Sequence, residues 1–326
     1  MNKRIPYFDN LKFILIYFVV LGHFLAPLRG VIPGVKFIYM IIYVFHMPLF
    51  IFILGYFSKS LLKDGKLTNN KIFNYLLLYL IMQIILYLIR DTSFSLIYPQ
   101  HGMWYLVCII IWSLLLPVLV KVKTKLLIPL TFLLGLIVMV DSKATDVLSI
   151  NRAIIFLPYF LCGYYMNSEK FINLINKIDI RHKVVSVLFI ITFIIILYLL
   201  PIDKGGIIKL MYGNSILNLS VYKAVIFRLF AYILSIFLSI CIMIIIPQTK
   251  YFFTNLGSNT LQVYCIHIIL FQFYEKLSLF QLVNNHLSLI IFGIILLILT
   301  IILSLRIFSL PFNKIMKLKF ERFLKE

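Results

Sequence analysis

The sequence contains few charged side chains and very few acidic ones. Only 13% of its 326 residues are charged, and Asp and Glu together number 11 against 31 Lys and Arg. With 63% hydrophobic residues and a mean hydropathy of +1.05, the chain has more apolar side chain than a water-soluble fold can bury. The composition therefore excludes a soluble globular domain and predicts a protein embedded in a lipid bilayer.

The sequence also lacks the short motifs of common soluble enzymes. It contains no GxSxG, HExxH, P-loop or GxGxxG pattern, which excludes the usual soluble hydrolases, zinc proteases and nucleotide-binding domains. The four cysteines include no closely spaced pair, so they indicate neither a metal site nor a redox motif, and no metal is expected. Any catalytic site would then consist of side chains inside membrane-spanning helices.

Apolar stretches follow one another along the whole chain. A spanning helix needs about 20 mostly apolar residues. Such stretches are predicted at residues 11–28, 36–57, 71–90, 103–120, 125–140, 153–167, 183–200, 223–246, 259–275 and 287–310. The fifth and sixth are short, so eight or nine spans remain an alternative. The pattern predicts an all-α, polytopic transmembrane bundle of about ten helices, forming a single domain over residues 1–326.

Most Lys and Arg residues fall in alternate loops between these stretches. By the positive-inside rule, this distribution places both termini in the cytoplasm. The formal net charge of +20 is explained by this topology, because the basic residues do not form the single patch that nucleic-acid binding requires. We therefore expect the bilayer, and no nucleic acid, as a partner.

Histidines inside the predicted spans are the first candidate functional residues. Ionisable side chains in spanning helices are costly and usually face a cavity. His23 is predicted about 18 Å from the cytoplasmic end of the first helix, and His46 about 15 Å from the outer end of the second, at similar depth. Since a neutral imidazole is a competent general base, both are catalytic candidates. The alternative is that either histidine only hydrogen-bonds a neighbouring helix.

Lys12 precedes His23 by about three helical turns and projects from nearly the same face. It could hold a phosphate at the cytoplasmic mouth of the first helix, or it could be an ordinary lysine reaching the interface. Near the other end of the chain, Tyr264 and His267 lie three residues apart on one face of the ninth predicted helix.

Further candidates lie near the outer ends of the helices. Trp104 and Tyr105 begin the fourth helix, where an interfacial aromatic belt is the alternative. Arg152 begins the sixth helix, and Arg228 lies about one turn inside the eighth, where its charge requires a partner or a polar cavity. The glycine-containing loop at residues 201–222 is a candidate lid or re-entrant segment.

Five segments in order span nearly the whole chain. They are RIPYFDNLKFILIYFVVLGHF at 4–24, FHMPLFIFILGYFSK at 45–59, MWYL at 103–106, FLPYFLCGYY at 156–165 and NTLQVYCIH at 259–267. Together they resemble the acyltransferase-3 family of bacterial membrane O-acyltransferases, in particular its fucose O-acetylase-like branch. The family's basic residue and histidine, separated by ten residues, correspond to Lys12 and His23, with lysine replacing the more frequent arginine. Where many relatives carry serine before a glycine, this chain has Leu54 before Gly55.

This resemblance implies a multi-pass enzyme of the bacterial cytoplasmic membrane. It would transfer an acetyl group from cytoplasmic acetyl-CoA to a hydroxyl of a cell-surface polysaccharide or its lipid-linked sugar precursor. His23 would act as general base or carry the acetyl group, assisted by His46. The residues expected to bind acetyl-CoA are Lys12, Arg4 and Lys59. Those expected to bind the acceptor or stabilise the oxyanion are Trp104, Tyr105, Arg152, Arg228, Tyr264 and His267. The alternative class is a lipid-linked saccharide transporter or flippase, whose action would not depend on acetyl-CoA.

Overall fold

The computed structural model describes residues 5–63, 66–67, 69–90, 94–138, 147–199, 208 and 220–319. These residues form twelve α-helices, several short 3-10 helices and one small β-hairpin. The helices are α1 (Pro6–Leu25), α2 (Val35–Phe57), α3 (Asn69–Arg90), α4 (Trp104–Leu119), α5 (Thr124–Ile137), α6 (Ile150–Tyr165), α7 (Ser168–Asn176), α8 (Ile180–Leu199), α9 (Val221–Ile245), α10 (Thr260–Lys276), α11 (His286–Leu303) and α12 (Arg306–Met316). Strands β1 (Leu62–Lys63) and β2 (Lys66–Leu67) pair antiparallel between α2 and α3.

Eight of the described helices are long and apolar enough to cross a bilayer. They are α1, α2, α3, α8, α9 and α11, together with α4 and α6, each of which reaches 19 residues when the 3-10 turn just before it is included. The predicted all-α, polytopic membrane fold is therefore confirmed. Each of the ten predicted stretches forms a helix, but α5 has 14 residues and α10 has 17. At 1.5 Å per residue α5 reaches only about 21 Å, well short of the roughly 30 Å of the hydrocarbon core, whereas α10, at about 26 Å, lies at the lower limit of spanning length.

The largest differences from the predicted boundaries lie at the first and the last stretch. Helix α1 begins at Pro6 instead of residue 11, because proline is well accommodated in the first turn of a helix. The tenth stretch is divided, since α11 ends at Leu303 and α12 begins at Arg306. The carbonyl groups at this break accept hydrogen bonds from Asn259 and Gln262, at 2.7–2.9 Å, as the open end of a helix requires.

Helix α7 was not among the predicted helices, because it is short and amphipathic. Phe171 and Ile175, four residues apart, are buried, whereas Leu174 between them is exposed. A scan for long apolar stretches does not detect this pattern, in which the apolar residues form a stripe with helical spacing.

The chain forms two compact units. The first comprises Met1–Phe50, Met166–Met211 and Phe230–Phe308, and the second comprises Ile51–Tyr165, Tyr212–Leu229 and Ser309–Glu326. In the first unit α1 packs against α10, α11 and the 3-10 helix Thr254–Ser258; in the second, α4 and α5 both pack against α6. The predicted single domain over residues 1–326 stays a prediction.

Helices α1 and α10 run in the same direction. Gly257, just before α10, contacts the backbone of Asp9 in the first turn of α1, and His267 contacts His23 in the last turn of α1. In the predicted topology these helices are the first and ninth spans, and both start from the cytoplasmic side. Their parallel packing agrees with that topology.

In the second unit, two glycines bring α2 and α6 into backbone contact. A Cβ atom on Gly55 would overlap the carbonyl of Phe160, and one on Gly163 would overlap the carbonyl of Phe52. Small residues allow membrane helices to approach this closely. Gly55 lies in the segment at 45–59 and Gly163 in the segment at 156–165, two of the five on which the family resemblance rests. Part of that resemblance therefore reflects helix packing.

We predict that Gly163→Ala destabilises the protein because the added methyl group has no space beside the α2 backbone. Overpacking of this kind costs about 1–3 kcal/mol or more, which corresponds to a fall in Tm of several degrees at about 2–4 °C per kcal/mol. Thermal unfolding in detergent measures the effect. The matched control is Gly293→Ala, also inside a spanning helix, where the new Cβ atom meets only the Tyr17 hydroxyl at 3.8 Å. Indistinguishable Tm values for the two variants would contradict the packing role.

Candidate active site

Three imidazoles lie on three helices of the first unit. His23 lies in the last turn of α1, His46 in the middle of α2 and His267 in the middle of α10. Because α1 begins at Pro6, His23 is about 26 Å along the helix, farther than the predicted 18 Å. The structure brings His23 and His267 into direct contact: Nδ1 of His23 lies 2.8 Å from Nε2 of His267, and the rings are nearly parallel at 12°.

The hydrogen bonds around this pair determine where each proton lies. Nδ1 of His267 is 2.8 Å from the Val263 carbonyl, which can only accept, so Nδ1 carries the proton. A neutral His267 then presents a lone pair at Nε2, and Nδ1–H of His23 must donate to it. The remaining nitrogen of His23, Nε2, is left with a lone pair. The chain of bonds therefore makes Nε2 the basic atom of His23.

The neutral form of these rings follows from their surroundings. His267 has no exposed surface, and an unpaired charge inside a membrane bundle is costly. Phe271 lies beside His23, with ring centroids 5.9 Å apart, and Phe24 packs edge-on against Phe271. His23 is partly exposed, whereas His46 and His267 are buried. The exposed surface of the pair therefore belongs to His23, whose Nε2 is the nitrogen that the hydrogen bond to His267 leaves available.

His46 lies about one helical turn from the contact between α1 and α2. At that contact Gly22 of α1 lies against Tyr43, whose ring packs edge-on to His46 at 4.7 Å. Nδ1 of His46 donates to the Ile42 carbonyl at 2.7 Å, which leaves a lone pair at Nε2. His46 is 3% exposed and close enough to His23 for an electrostatic interaction. The two predicted catalytic histidines thus lie near each other, and both can accept a hydrogen bond.

Tyr264 lies one turn before His267 on α10, with ring centroids 6.2 Å apart, as their spacing predicts. Its side chain is buried within the first unit. In the part of the chain that the structure describes, no group of three His, Cys, Asp or Glu side chains is arranged to hold a metal ion.

Lys12 forms an ion pair with Asp9 at the beginning of α1. Its Nζ atom lies 2.8 Å from Oδ1 of Asp9, and the two side chains are 20% and 6% exposed. Lysine and aspartate three residues apart on a helix commonly pair in this way. An anionic ligand at Lys12 would therefore compete with a carboxylate already in place.

Asn10 is a buried polar residue whose role sequence analysis missed. Its amide donates to the carbonyl groups of Pro247 and Thr249, both at 2.9 Å, and its side-chain oxygen accepts from the hydroxyl of Thr254. These bonds join α1 to the loop before α10. Asn10 lies just before the first predicted span, and its partners lie more than 230 residues away, so no local sequence pattern indicates these bonds.

In the second unit, four of the predicted residues lie on helices α4, α6 and α9. The guanidinium carbon of Arg152 lies 5.3 Å from the Trp104 ring centroid, and Trp104 also stacks on Phe156 at 5.4 Å. Tyr105 packs edge-on to Trp104 and is mostly buried. Arg228 is buried in α9. Arginine and aromatic side chains are thus brought together where α4 and α6 begin.

Lys59 and Arg4 were both expected to bind phosphate. Lys59 follows α2, and its Nζ atom lies 4.5 Å from the Tyr56 ring centroid, a cation–π contact. Arg4 lies outside the described residues. The proposed lid at 201–222 also lies outside them, apart from residues 208 and 220–222.

The fold defines a polytopic helical membrane protein with a neutral base near the end of its first helix. The chain matches the acyltransferase-3 family, described as an acyltransferase domain, over residues 5–308. It therefore belongs to this family and is a membrane acyltransferase. Searches of curated proteins and of solved structures gave no significant match.

We predict that Asn10→Ala lowers the stability of the first unit. The change leaves the carbonyl groups of Pro247 and Thr249 without their donor, and each buried group that loses its partner costs about 1–3 kcal/mol. Thermal unfolding in detergent should show a lower Tm than for Asn255→Ala, which alters an exposed asparagine in the same region. Equal Tm values for the two variants would show that the bonds of Asn10 do not stabilise the fold.

Proposed function

We propose that this acyltransferase moves an acetyl group from cytoplasmic acetyl-CoA to a hydroxyl of a cell-surface polysaccharide or its lipid-linked sugar precursor. We place it in the bacterial cytoplasmic membrane and in the fucose O-acetylase-like branch of its family. The observation that carries the proposal is Nε2 of His23, a lone pair on a neutral and partly accessible imidazole in an apolar interior.

The lone pair at Nε2 suits the proton transfer that acyl transfer needs. As the acceptor hydroxyl attacks the thioester carbonyl, its proton passes to Nε2 of His23 and an oxyanion forms. When the C–S bond breaks, the CoA thiolate leaves and takes that proton. The acceptor has then gained the acetyl group, and His23 is neutral again. In a second route, Nε2 attacks the thioester, the C–S bond breaks and the CoA thiolate leaves, so that the imidazole carries the acetyl group. The acceptor hydroxyl then attacks this acetyl group, its proton passes to the CoA thiolate, and His23 is released as the neutral ring. Both routes need the same tautomer.

His46 is assigned a narrower role than first expected. Because Nδ1 donates to Ile42, a neutral His46 has only a lone pair at Nε2. It can accept a hydrogen bond from the acceptor hydroxyl but cannot donate one to an oxyanion. We propose that His46 orients the hydroxyl toward His23, and that the phenol of Tyr264 is the candidate donor to the oxyanion.

The cytoplasmic donor would be held at the start of α1. We propose that Lys12, with Arg4 and Lys59, binds the phosphates of acetyl-CoA, while the pantetheine arm extends toward His23. Lys12 precedes His23 by eleven residues, about 16 Å of helix. A doubly charged phosphate attracts an ammonium group more strongly than the single carboxylate of Asp9 does.

Trp104, Tyr105, Arg152 and Arg228 are proposed contacts for the sugar acceptor. The support is the cluster of an aromatic face with a guanidinium group at Trp104 and Arg152. Aromatic rings offer an apolar surface to a sugar, and arginine donates several hydrogen bonds to its hydroxyl groups. The alternative class, a lipid-linked saccharide transporter or flippase, is not supported, because the chain belongs to a family of acyltransferases.

We predict that His23→Ala lowers acetyl transfer by about 10²–10⁴-fold, the usual contribution of a general base. Membranes from expressing cells are assayed with labelled acetyl-CoA. In a deletion strain complemented with the variant, mass spectrometry should show the surface glycan without acetyl groups but with normal polymer. The control is His286→Ala, an exposed histidine at the start of α11. Wild-type transfer by a correctly inserted His23→Ala would refute the assignment, and loss of the polymer itself would favour transport.

We predict that Lys12→Gln raises the KM for acetyl-CoA several-fold while leaving kcat nearly unchanged, because it removes binding charge far from the reacting atoms. The single change also removes the ion pair between Lys12 and the nearly buried Asp9. The double variant Asp9→Asn/Lys12→Gln removes both charges and separates the two effects. If its KM equals that of the wild type, Lys12 is only the structural partner of Asp9.

A further inference from the structure

His267 has a specific relation to the proposed base. It was expected to bind the acceptor or stabilise the oxyanion, but it has no exposed surface and is poorly placed for such a contact. Its two ring nitrogens are both engaged, Nδ1 with the Val263 carbonyl and Nε2 with Nδ1 of His23. The bond to Val263 spans one helical turn of α10, so the orientation of the ring is set by its own helix.

We infer that His267 is a positioning residue that fixes the tautomer and orientation of His23. Val263 holds the proton of His267 on Nδ1, and Nε2 of His267 holds the proton of His23 on Nδ1. The reactive lone pair of His23 is thereby kept on Nε2, at the partly accessible side of the pair. The catalytic consequence of this inference rests on the proposed function. The hydrogen bonds themselves can be tested without an activity assay.

The alternative tautomer of His23 would disrupt the pair. With its proton on Nε2, His23 would point a lone pair from Nδ1 at the lone pair of His267 Nε2, at a nitrogen separation of 2.8 Å. Two acceptors at that distance repel each other, and neither would be satisfied in an apolar site. The wrong tautomer is therefore disfavoured by the surroundings as well as by the loss of one hydrogen bond.

Two substitutions separate positioning from simple packing. His267→Leu keeps an apolar side chain of moderate size but removes the acceptor, so the proton of His23 is free to occupy either nitrogen. His267→Gln can place its side-chain oxygen close to the former Nε2 and accept from His23 again. We expect kcat to fall about 10²–10⁴-fold in His267→Leu, comparable to the loss when a serine-protease base has the wrong tautomer. In His267→Gln, kcat should recover to within about tenfold of the wild type.

The Michaelis constants provide a readout that a packing role would not give. Since His267 contacts neither substrate, the KM values for acetyl-CoA and for the acceptor should change little in His267→Leu. The matched control is Gln272→Leu, which also replaces a buried polar residue of α10 by leucine. It should keep kcat within about twofold, and Tm values in detergent report whether all variants fold equally.

The proton position is measured directly by ¹⁵N NMR of histidine-labelled protein, with the His23 signal identified by comparison with His23→Ala. The inference requires a proton on Nδ1 of His23 in the wild type and in His267→Gln, and a mixture of tautomers in His267→Leu. A proton on Nε2 in the wild type would overturn it, whatever the variants do. Undiminished kcat in His267→Leu would also overturn it. If His23→Ala kept full activity, the proposed function would fail, and the NMR result would still decide the hydrogen bond.

Discussion

Polar groups inside this protein must find their partners within the protein, because the hydrocarbon core of a bilayer offers no water. In the described residues, many of these partners are backbone carbonyls. His46 and His267 each donate to the carbonyl four residues earlier on their own helix. Asn10 uses carbonyls of a distant loop, and Gln262 uses those at the end of α11. A carbonyl can only accept, so each bond also decides where a proton resides.

That constraint connects the stability of the bundle with its chemistry. A side-chain amide satisfied by carbonyls joins two segments and does nothing further. An imidazole satisfied in the same way is left with one nitrogen whose role is determined, and in His46 and His267 that nitrogen is an acceptor. The difference between a structural polar residue and a functional one is therefore whether a usable lone pair remains after the local bonds are made. By this criterion His23 is the histidine that we propose as functional, because its remaining nitrogen belongs to a ring that is partly exposed.

The sequence was sufficient to predict the membrane class and the helices, and to single out the intramembrane histidines as candidates, because apolar run length and buried polar residues are local signals. It was not sufficient to pair His23 with His267, which lie 244 residues apart. Equal depth on consecutive helices suggested His23 and His46 as partners instead. The structure places these two close together but gives the direct hydrogen bond to His267. The bonds of Asn10 were missed for the same reason, because its partners are distant in sequence. Helix α7 was missed because its helical spacing of apolar residues is too short to form a long apolar stretch.

A histidine, His267, suits the task of orienting His23 because the surroundings of the pair are apolar. In soluble hydrolases a carboxylate usually holds the base and stabilises its protonated form. An ionised carboxylate beside α1 and α10 would have to be buried among aromatic rings such as Phe271, at a high desolvation cost. A neutral imidazole supplies the same acceptor without a charge. It also stabilises a protonated His23 less than a carboxylate would, so a lasting imidazolium is unfavourable here. The proton taken from the acceptor hydroxyl should therefore be passed promptly to the leaving thiolate, which favours a direct transfer with His23 as a brief proton carrier.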